Sequence, residues 1–165
     1  TVLELGARFG TTTCEIAKSL KNSGRLVAAE PDRLVYEDIT RNIKNNNCNA
    51  LILQGAIGLK PLRMCASGYA GQTNKDCKIH PRGYKPVFVN TYRVSQVEQA
   101  VGLKFDTLLL DCEGCVEDAL DELQPLIKRQ IKLILLEADQ GKKPNSTRQG
   151  GTDYESFKGW LKDSG

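Results

Sequence analysis

Two spacings of apolar residues alternate along the chain. Short apolar segments of strand length fall at 1–7, 25–30, 50–55, 105–111 and 132–137, the last two holding unbroken runs of the kind that strands covered on both faces require. Val2, Leu3 and Leu5 mark the first, and Leu108-Leu-Leu110 and Leu133-Ile-Leu-Leu136 carry the last two. Between them apolar positions recur at helical spacing over about 11–22, 33–46, 94–101, 115–127 and 153–162. Gly24 stops the first of these helices, and Asn45-Asn46-Asn47 ends the second. From 56 to 90 the periodicity is lost while Gly68, Gly71, Pro81, Gly83 and Pro86 accumulate, which predicts a loop or hairpin insertion at about 60–90. A second loop rich in Gly, Lys, Pro and Asn covers 140–151.

Strands alternating with helices predict one α/β domain over 1–165. Right-handed crossovers then give a doubly wound, mostly parallel, Rossmann-like sheet of strand order 3-2-1-4-5. Its ligand crevice would lie at the carboxyl ends of strands 1 and 4, beside Gly6 and Asp111. Thr1 is not a start methionine, and the first residue already lies in a strand. The sequence therefore reads as a piece of a longer chain.

The first strand runs into Gly6, where the backbone must turn sharply and a ligand can approach without a Cβ in the way. Gly10 opens a helix through Thr11, Thr12 and Thr13, whose amides lie at the positive end of the helix dipole. Glu30 closes the second strand with a carboxylate that two vicinal hydroxyls can bridge, as a ribose does. A dinucleotide site would carry G-x-G-x-x-G, whereas this turn reads Glu4-x-Gly6-x-x-x-Gly10, with Arg8 and Phe9 where a pyrophosphate needs room. An adenosine cofactor without phosphate fits better, and S-adenosylmethionine is such a cofactor.

Acids also end the later strands: Asp111-Cys-Glu-Gly114 after the fourth, and Glu137-Ala-Asp139 after the fifth. Facing one crevice, they predict Asp111 as a general base, with Glu113 and Glu137 toward the substrate. Glu113 would serve equally as a helix cap. His80, the lone histidine, lies in the insertion and is the second candidate base. A divalent cation on Asp111, Glu137 and Asp139 is an alternative way to activate an acceptor, but no metal site is assigned.

Composition narrows the partners. With 165 residues, 40% hydrophobic and 26% charged, the chain can bury one core, and a net charge of +3 is too small to argue for nucleic acid. No run reaches the roughly 18 apolar residues of a membrane helix. Six cysteines are present, but Cys14 falls in a helix and Cys112 at a strand end, so reduced thiols and a cytoplasmic location are expected. The C-x-x-C pair Cys112 and Cys115 is not expected to be redox-active, with Glu113-Gly114 between its members. Cys65, Cys77 and His80 lack a regularly spaced fourth zinc ligand.

Taken together, these residues resemble the FkbM-type methyltransferases, a family of class I S-adenosylmethionine-dependent enzymes. Leu5-Gly-Ala-Arg-Phe-Gly10 is similar to the family's G-A-N-x-G loop, and Glu30-Pro31 to its E-P. Asn42-Ile-Lys-Asn-Asn46 is similar to its N-I-x-x-N, Ala56-Ile-Gly58 to the adenine-flanking segment, Leu110-Asp-Cys-Glu-Gly114 to I-D-x-E-G, and Leu136-Glu137 to the final V-E. Arg8 stands where the family usually has Asn, Leu109 stands where it usually has Lys, and the strand 6/7 hairpin in which the family ends is absent after the last helix. The resemblance implies O-methylation of a hydroxyl on a sugar, glycan or small natural product. The cofactor set is then Glu4, Gly6, Ala7, Arg8, Phe9, Gly10, Thr12, Glu30, Pro31, Gly55, Ala56, Ile57 and Asp111. Three rivals stand beside it. An N-methyltransferase acting on protein or nucleic acid would carry an Asn/Asp-Pro-Pro-aromatic motif after strand 4, a nicotinamide-dependent reductase would carry the other glycine spacing, and a cofactor-binding module would lack turnover.

Overall fold

The structure, a computed structural model, describes residues 1–64, 73–74, 87–112, 115–138 and 153–164. The chain forms β1 (Val2–Leu5), α1 (Thr11–Ser19), β2 (Leu26–Glu30), α2 (Tyr36–Asn45), β3 (Leu51–Gln54), β4 (Ala56–Ile57), β5 (Leu62–Met64), β6 (Thr73–Asn74), β7 (Val87–Val89), β8 (Thr91–Tyr92), α3 (Val94–Val101), β9 (Thr107–Leu110), α4 (Val116–Gln130), β10 (Leu133–Leu136) and α5 (Tyr154–Ser164). Five of the strands build one sheet in the order β10-β9-β1-β2-β3, and every pairing in it is parallel. This is the 3-2-1-4-5 arrangement that the apolar runs predict.

Side chains alternate across the sheet and divide the core in two. Leu3, Leu5, Val27, Ala29, Leu108 and Leu110 face one way and pack against α3, α4 and α5. Val2, Leu26 and Ala28 face the other and pack against α1 and α2 through Cys14, Ala17, Ile39 and Ile43. That second layer covers the β1–β3 half, leaving Leu133 and Leu135 of β10 exposed.

Two expectations change. The first helix ends at Ser19 rather than near 22, because the chain turns through Lys21 and Asn22 in the left-handed region. The fourth continues past Pro125 to Gln130, whose side-chain amide donates to the Phe105 carbonyl at 2.7 Å and anchors the last turn. The insertion carries hairpin-type pairing, one of the two forms expected: β5 pairs antiparallel with both β6 and β7, while at its edges β4 pairs parallel with β8. Strands of two or three residues are too short to show a period in the sequence.

The cysteines are a correction. Cys14 on α1 is bonded to Cys48, 34 residues away, and Cys112 is bonded to Cys115. Winding α1 and α2 onto one sheet face brings the Cα atoms of Cys14 and Cys48 within 5.2 Å, a proximity that linear spacing does not reveal. All described cysteines are paired, so the expectation of reduced thiols fails and the cytoplasmic expectation loses its ground. Among the described residues no helix is long and apolar enough to cross a membrane. Cys65 and Cys77 lie outside the described residues.

Candidate functional site

The turn after β1 places three residues in the left-handed region: Gly6 at φ 96°, Arg8 at φ 50° and Gly10 at φ 81°. A Cβ on Gly6 would stand 1.7 Å from the Asp111 carbonyl oxygen, so the close approach of the chain leaving β9 excludes any other residue there. Arg8 holds its conformation at a cost of about 1–2 kcal/mol. Its backbone N–H donates to Glu30 Oε2 at 2.7 Å, which offsets part of that strain. From the far side, Asn42 Nδ2 on α2 donates to the Phe9 carbonyl at 3.0 Å. Gly10 precedes α1 without a side-chain cap, and a Cβ on it would meet Ile39 at 3.0 Å and Ile43 at 3.3 Å.

Glu30 sits at the end of β2, 5% exposed. Its other oxygen, Oε1, accepts the Asp32 N–H at 2.7 Å. The carboxylate is therefore clamped by one backbone donor on each side, with further lone pairs left for a ligand. Burial pushes its pKa up, and the two N–H groups pull the other way. Asp32 is buried beside it and accepts the Leu34 N–H through Oδ1 at 2.9 Å.

These elements wall a cavity of about 370 Å³, a size suited to a small molecule or cofactor. It opens at the carboxyl ends of the central strands, where ligands bind open parallel sheets. The turn contributes Gly6, Ala7, Arg8 and Phe9, and α1 contributes Thr11 and Thr12. Ala29 to Asp32 enter from β2, Gly55 to Ile57 and Leu62 from the next strands, and Asp111, Cys112, Cys115 and Glu137 from the ends of β9 and β10 and the start of α4.

Eleven of the sequence-derived cofactor residues line this cavity: Gly6, Ala7, Arg8, Phe9, Thr12, Glu30, Pro31, Gly55, Ala56, Ile57 and Asp111. Glu137 joins them. Glu4 and Gly10 do not line it. Strand alternation turns Glu4 away, toward Thr13 of α1, while Gly10 faces α2. Glu113, His80 and Asp139 lie outside the described residues.

The sequence reading missed Asp32, Leu62, Cys112 and Cys115 as cavity residues. Asp32 had a local signal, an acid two residues beyond the strand-end Glu30 and poised for an Asx turn. Cys112 and Cys115 both precede α4, in a turn closed by the Cys115 N–H on the Cys112 carbonyl, so C-x-x-C spacing was a local signal. Leu62 comes from the insertion and had no signal.

Among the described residues the lining is acidic, with Glu30, Asp32, Asp111 and Glu137 against the single cation Arg8. The Arg8 guanidinium lies 5.3 Å from the centroid of the Phe9 ring. Glu4 lies behind this lining, fully buried, with its pKa pushed up to about 7 by burial first and by Asp111 and Glu30 as well. Such a site attracts ligands that carry positive charge and hydroxyl donors. In comparison with known proteins, neither a family model nor a curated protein matches the chain, so the functional reading rests on this geometry.

Proposed function

We propose that the chain is a Rossmann-like domain that binds S-adenosylmethionine and transfers its methyl group to a hydroxyl of a sugar, glycan or small natural product, in the manner of FkbM-type enzymes. The observation that carries the reading is Glu30: a buried strand-end carboxylate, fixed by the Arg8 and Asp32 amides and opposite the Gly6 turn. That arrangement suits two vicinal ribose hydroxyls. Ala56 and Ile57 offer buried apolar contact for an adenine, and the first amides of α1 offer donors for a carboxylate.

When bound, the cofactor supplies an electrophilic methyl on a sulfonium. The chain's task is to align an acceptor oxygen and receive its proton. Asp111 is our candidate for this role: it lines the cavity, and its backbone N–H, donating to the Leu5 carbonyl at 3.0 Å, holds the end of β9 beside the turn. The acidic lining also favours a cationic cofactor over its neutral thioether product, which assists release.

Calorimetric titration with S-adenosylmethionine, and separately with NADH, tests the reading. Micromolar binding of the former alone supports it. Binding of NADH alone favours a reductase, and binding of neither by the folded chain refutes the cofactor assignment. Turnover with a panel of hydroxyl acceptors then separates an enzyme from a binding module. Asp111→Asn should lose roughly 10²–10⁴-fold in rate, well beyond any loss of cofactor affinity that follows from removing one charge of the lining.

A further inference from the structure

We propose that Cys112–Cys115 is a redox-active pair in the cavity wall, opened by dithiols, and that its state controls the order of the Gly6 turn and hence ligand affinity. The two described disulfides differ in kind. Cys14–Cys48 joins residues 34 apart, and both its cysteines are buried in the core beneath α1 and α2. Closing so long a loop constrains the unfolded chain, which is how a staple stabilises. Cys112–Cys115 spans a separation of only three, so it constrains the unfolded chain little, and both its residues line the cavity, half-buried. Stability does not account for its place.

Its position couples it to the site. Cys112 follows Asp111 directly, and its Cα lies 2.9 Å from where a Cβ on Gly6 would stand. Cys115 begins α4: its N–H donates to the Cys112 carbonyl at 3.2 Å, and its carbonyl accepts the Ala119 N–H at 3.0 Å. The bridge therefore ties the end of β9 to the first turn of a fifteen-residue helix, across the backbone that packs on the Gly6 turn.

The chemistry balances with a dithiol as reductant. One thiolate attacks the Cys112 sulfur, forming a mixed disulfide and expelling Cys115 as a thiolate. The helix start stabilises that thiolate, and a low-pKa thiol leaves faster. The second thiol of the reductant attacks its own sulfur in the mixed disulfide and releases Cys112. The protein gains two electrons and two protons, and the reductant becomes a cyclic disulfide. Without the bridge, only the chain itself and the Cys115 N–H bond to the Cys112 carbonyl tie the end of β9 to α4, and the turn it supports loosens.

Opening of the pair does not depend on the function proposed above; the change in ligand affinity does. The oxidised full chain is treated with limiting dithiothreitol, alkylated, mapped by mass spectrometry, and followed by hydrogen exchange and by titration with S-adenosylmethionine. Cys112 and Cys115 should be labelled at least tenfold faster than Cys14 and Cys48. Exchange should rise in peptides covering residues 5–12 and 107–120, and affinity should fall several-fold. Equal labelling rates, or selective opening without faster exchange at the Gly6 turn, overturns the proposal. If neither form binds S-adenosylmethionine, the functional reading fails while labelling and exchange still decide this one. The double variant Cys112→Ser/Cys115→Ser should reproduce the reduced exchange pattern and no longer respond to dithiothreitol; a persisting response also overturns it.

Discussion

Two carboxyl groups in this molecule are equally hidden and oppositely treated. Glu98 on α3 is 2% exposed and Glu4 on β1 is 1% exposed. Glu98 accepts from Lys104 Nζ at 2.6 Å, Gln130 Nε2 at 2.6 Å and the Phe105 N–H at 3.2 Å, with Arg129 at 3.8 Å. Burial raises its pKa, but the donors together outweigh burial and hold it below the usual carboxylate range. Glu4 has no such company. Its Oε2 and the Thr13 hydroxyl are both buried without a hydrogen-bond partner, so although Thr13 lies close enough to favour the anion, no hydrogen bond of normal geometry joins them. Asp111 and Glu30 add repulsion. One acid is a clamp joining α3, the entry to β9 and the end of α4. The other is an unsatisfied group behind a cavity, of the kind that binding sites retain at a cost to stability.

The sharpest way to break this comparison is pH. Glu4 has a folded pKa of about 7 against an ordinary 4.5, so the fold favours its neutral form. Its contribution to stability is complete below pH 4.5 and is lost as pH rises through about 7. The loss amounts to about 3 kcal/mol. Glu98 runs the other way, contributing above the ordinary carboxylate range and losing that contribution as pH falls through its depressed folded value. Urea unfolding of the parent and Glu4→Gln across pH 4 to 8 should therefore give a difference curve that grows between those two values. A flat difference would remove the contrast.

Deleting the clamp is the next largest effect. Glu98→Ala strands the Phe105 N–H and frees the Gln130 amide, and should cost about 2 kcal/mol in denaturant unfolding at neutral pH. Lys104 is three-quarters exposed, so its ion pair adds little and Lys104→Ala should cost under about 1 kcal/mol. Glu4→Gln, by contrast, should be neutral or stabilising at pH 8. Equal losses from Glu98→Ala and Glu4→Gln would mean that the two acids do the same structural work.

The same contrast marks what was legible in the sequence. Short apolar segments located every strand of the main sheet, and α3 falls on 94–101 as its periodicity predicts, because both patterns are written in adjacent residues. The cavity residues were legible for a related reason: the carboxyl ends of parallel strands share one rim, so Glu30, Asp111 and Glu137 could be placed together from strand order alone. Whatever depends on contacts distant in sequence stayed hidden. Nothing near Glu98 announces Gln130, 32 positions on, and nothing near Cys14 announces Cys48. Its place in the glycine motif marks Glu4 as a ligand contact, but strand parity turns it behind the rim. Asn42 was visible as a motif residue, and its task of holding the Phe9 carbonyl was not.

Function sharpens the comparison further. Glu30→Ala is not a clean test of ribose binding, because it also removes the acceptor of the Arg8 N–H in a turn that needs it. Glu30→Gln keeps one carbonyl acceptor and loses the second. It should lower S-adenosylmethionine affinity roughly tenfold, about 1.4 kcal/mol, with a smaller change in unfolding free energy. Unchanged affinity would sink the ribose assignment.

The smallest effect is the most diagnostic, because it asks whether Glu4 senses a ligand that it does not touch. With a pKa of about 7, this group is partly protonated at neutral pH, and its proton is held there by burial and by repulsion from Asp111 and Glu30. A sulfonium placed against those two acids would screen that repulsion and lower the pKa, so binding should expel part of a proton. By linkage, affinity should then rise roughly threefold between pH 6 and 8, and Glu4→Gln should flatten that rise. Calorimetry at pH 7 in two buffers of different ionisation enthalpy measures the released proton directly. The neutral thioether product, which lacks the positive charge, should release less of it. Equal release by cation and thioether would mean that Glu4 responds to the closing of the cavity rather than to charge, and the acidic lining would then no longer count as evidence for a cationic cofactor.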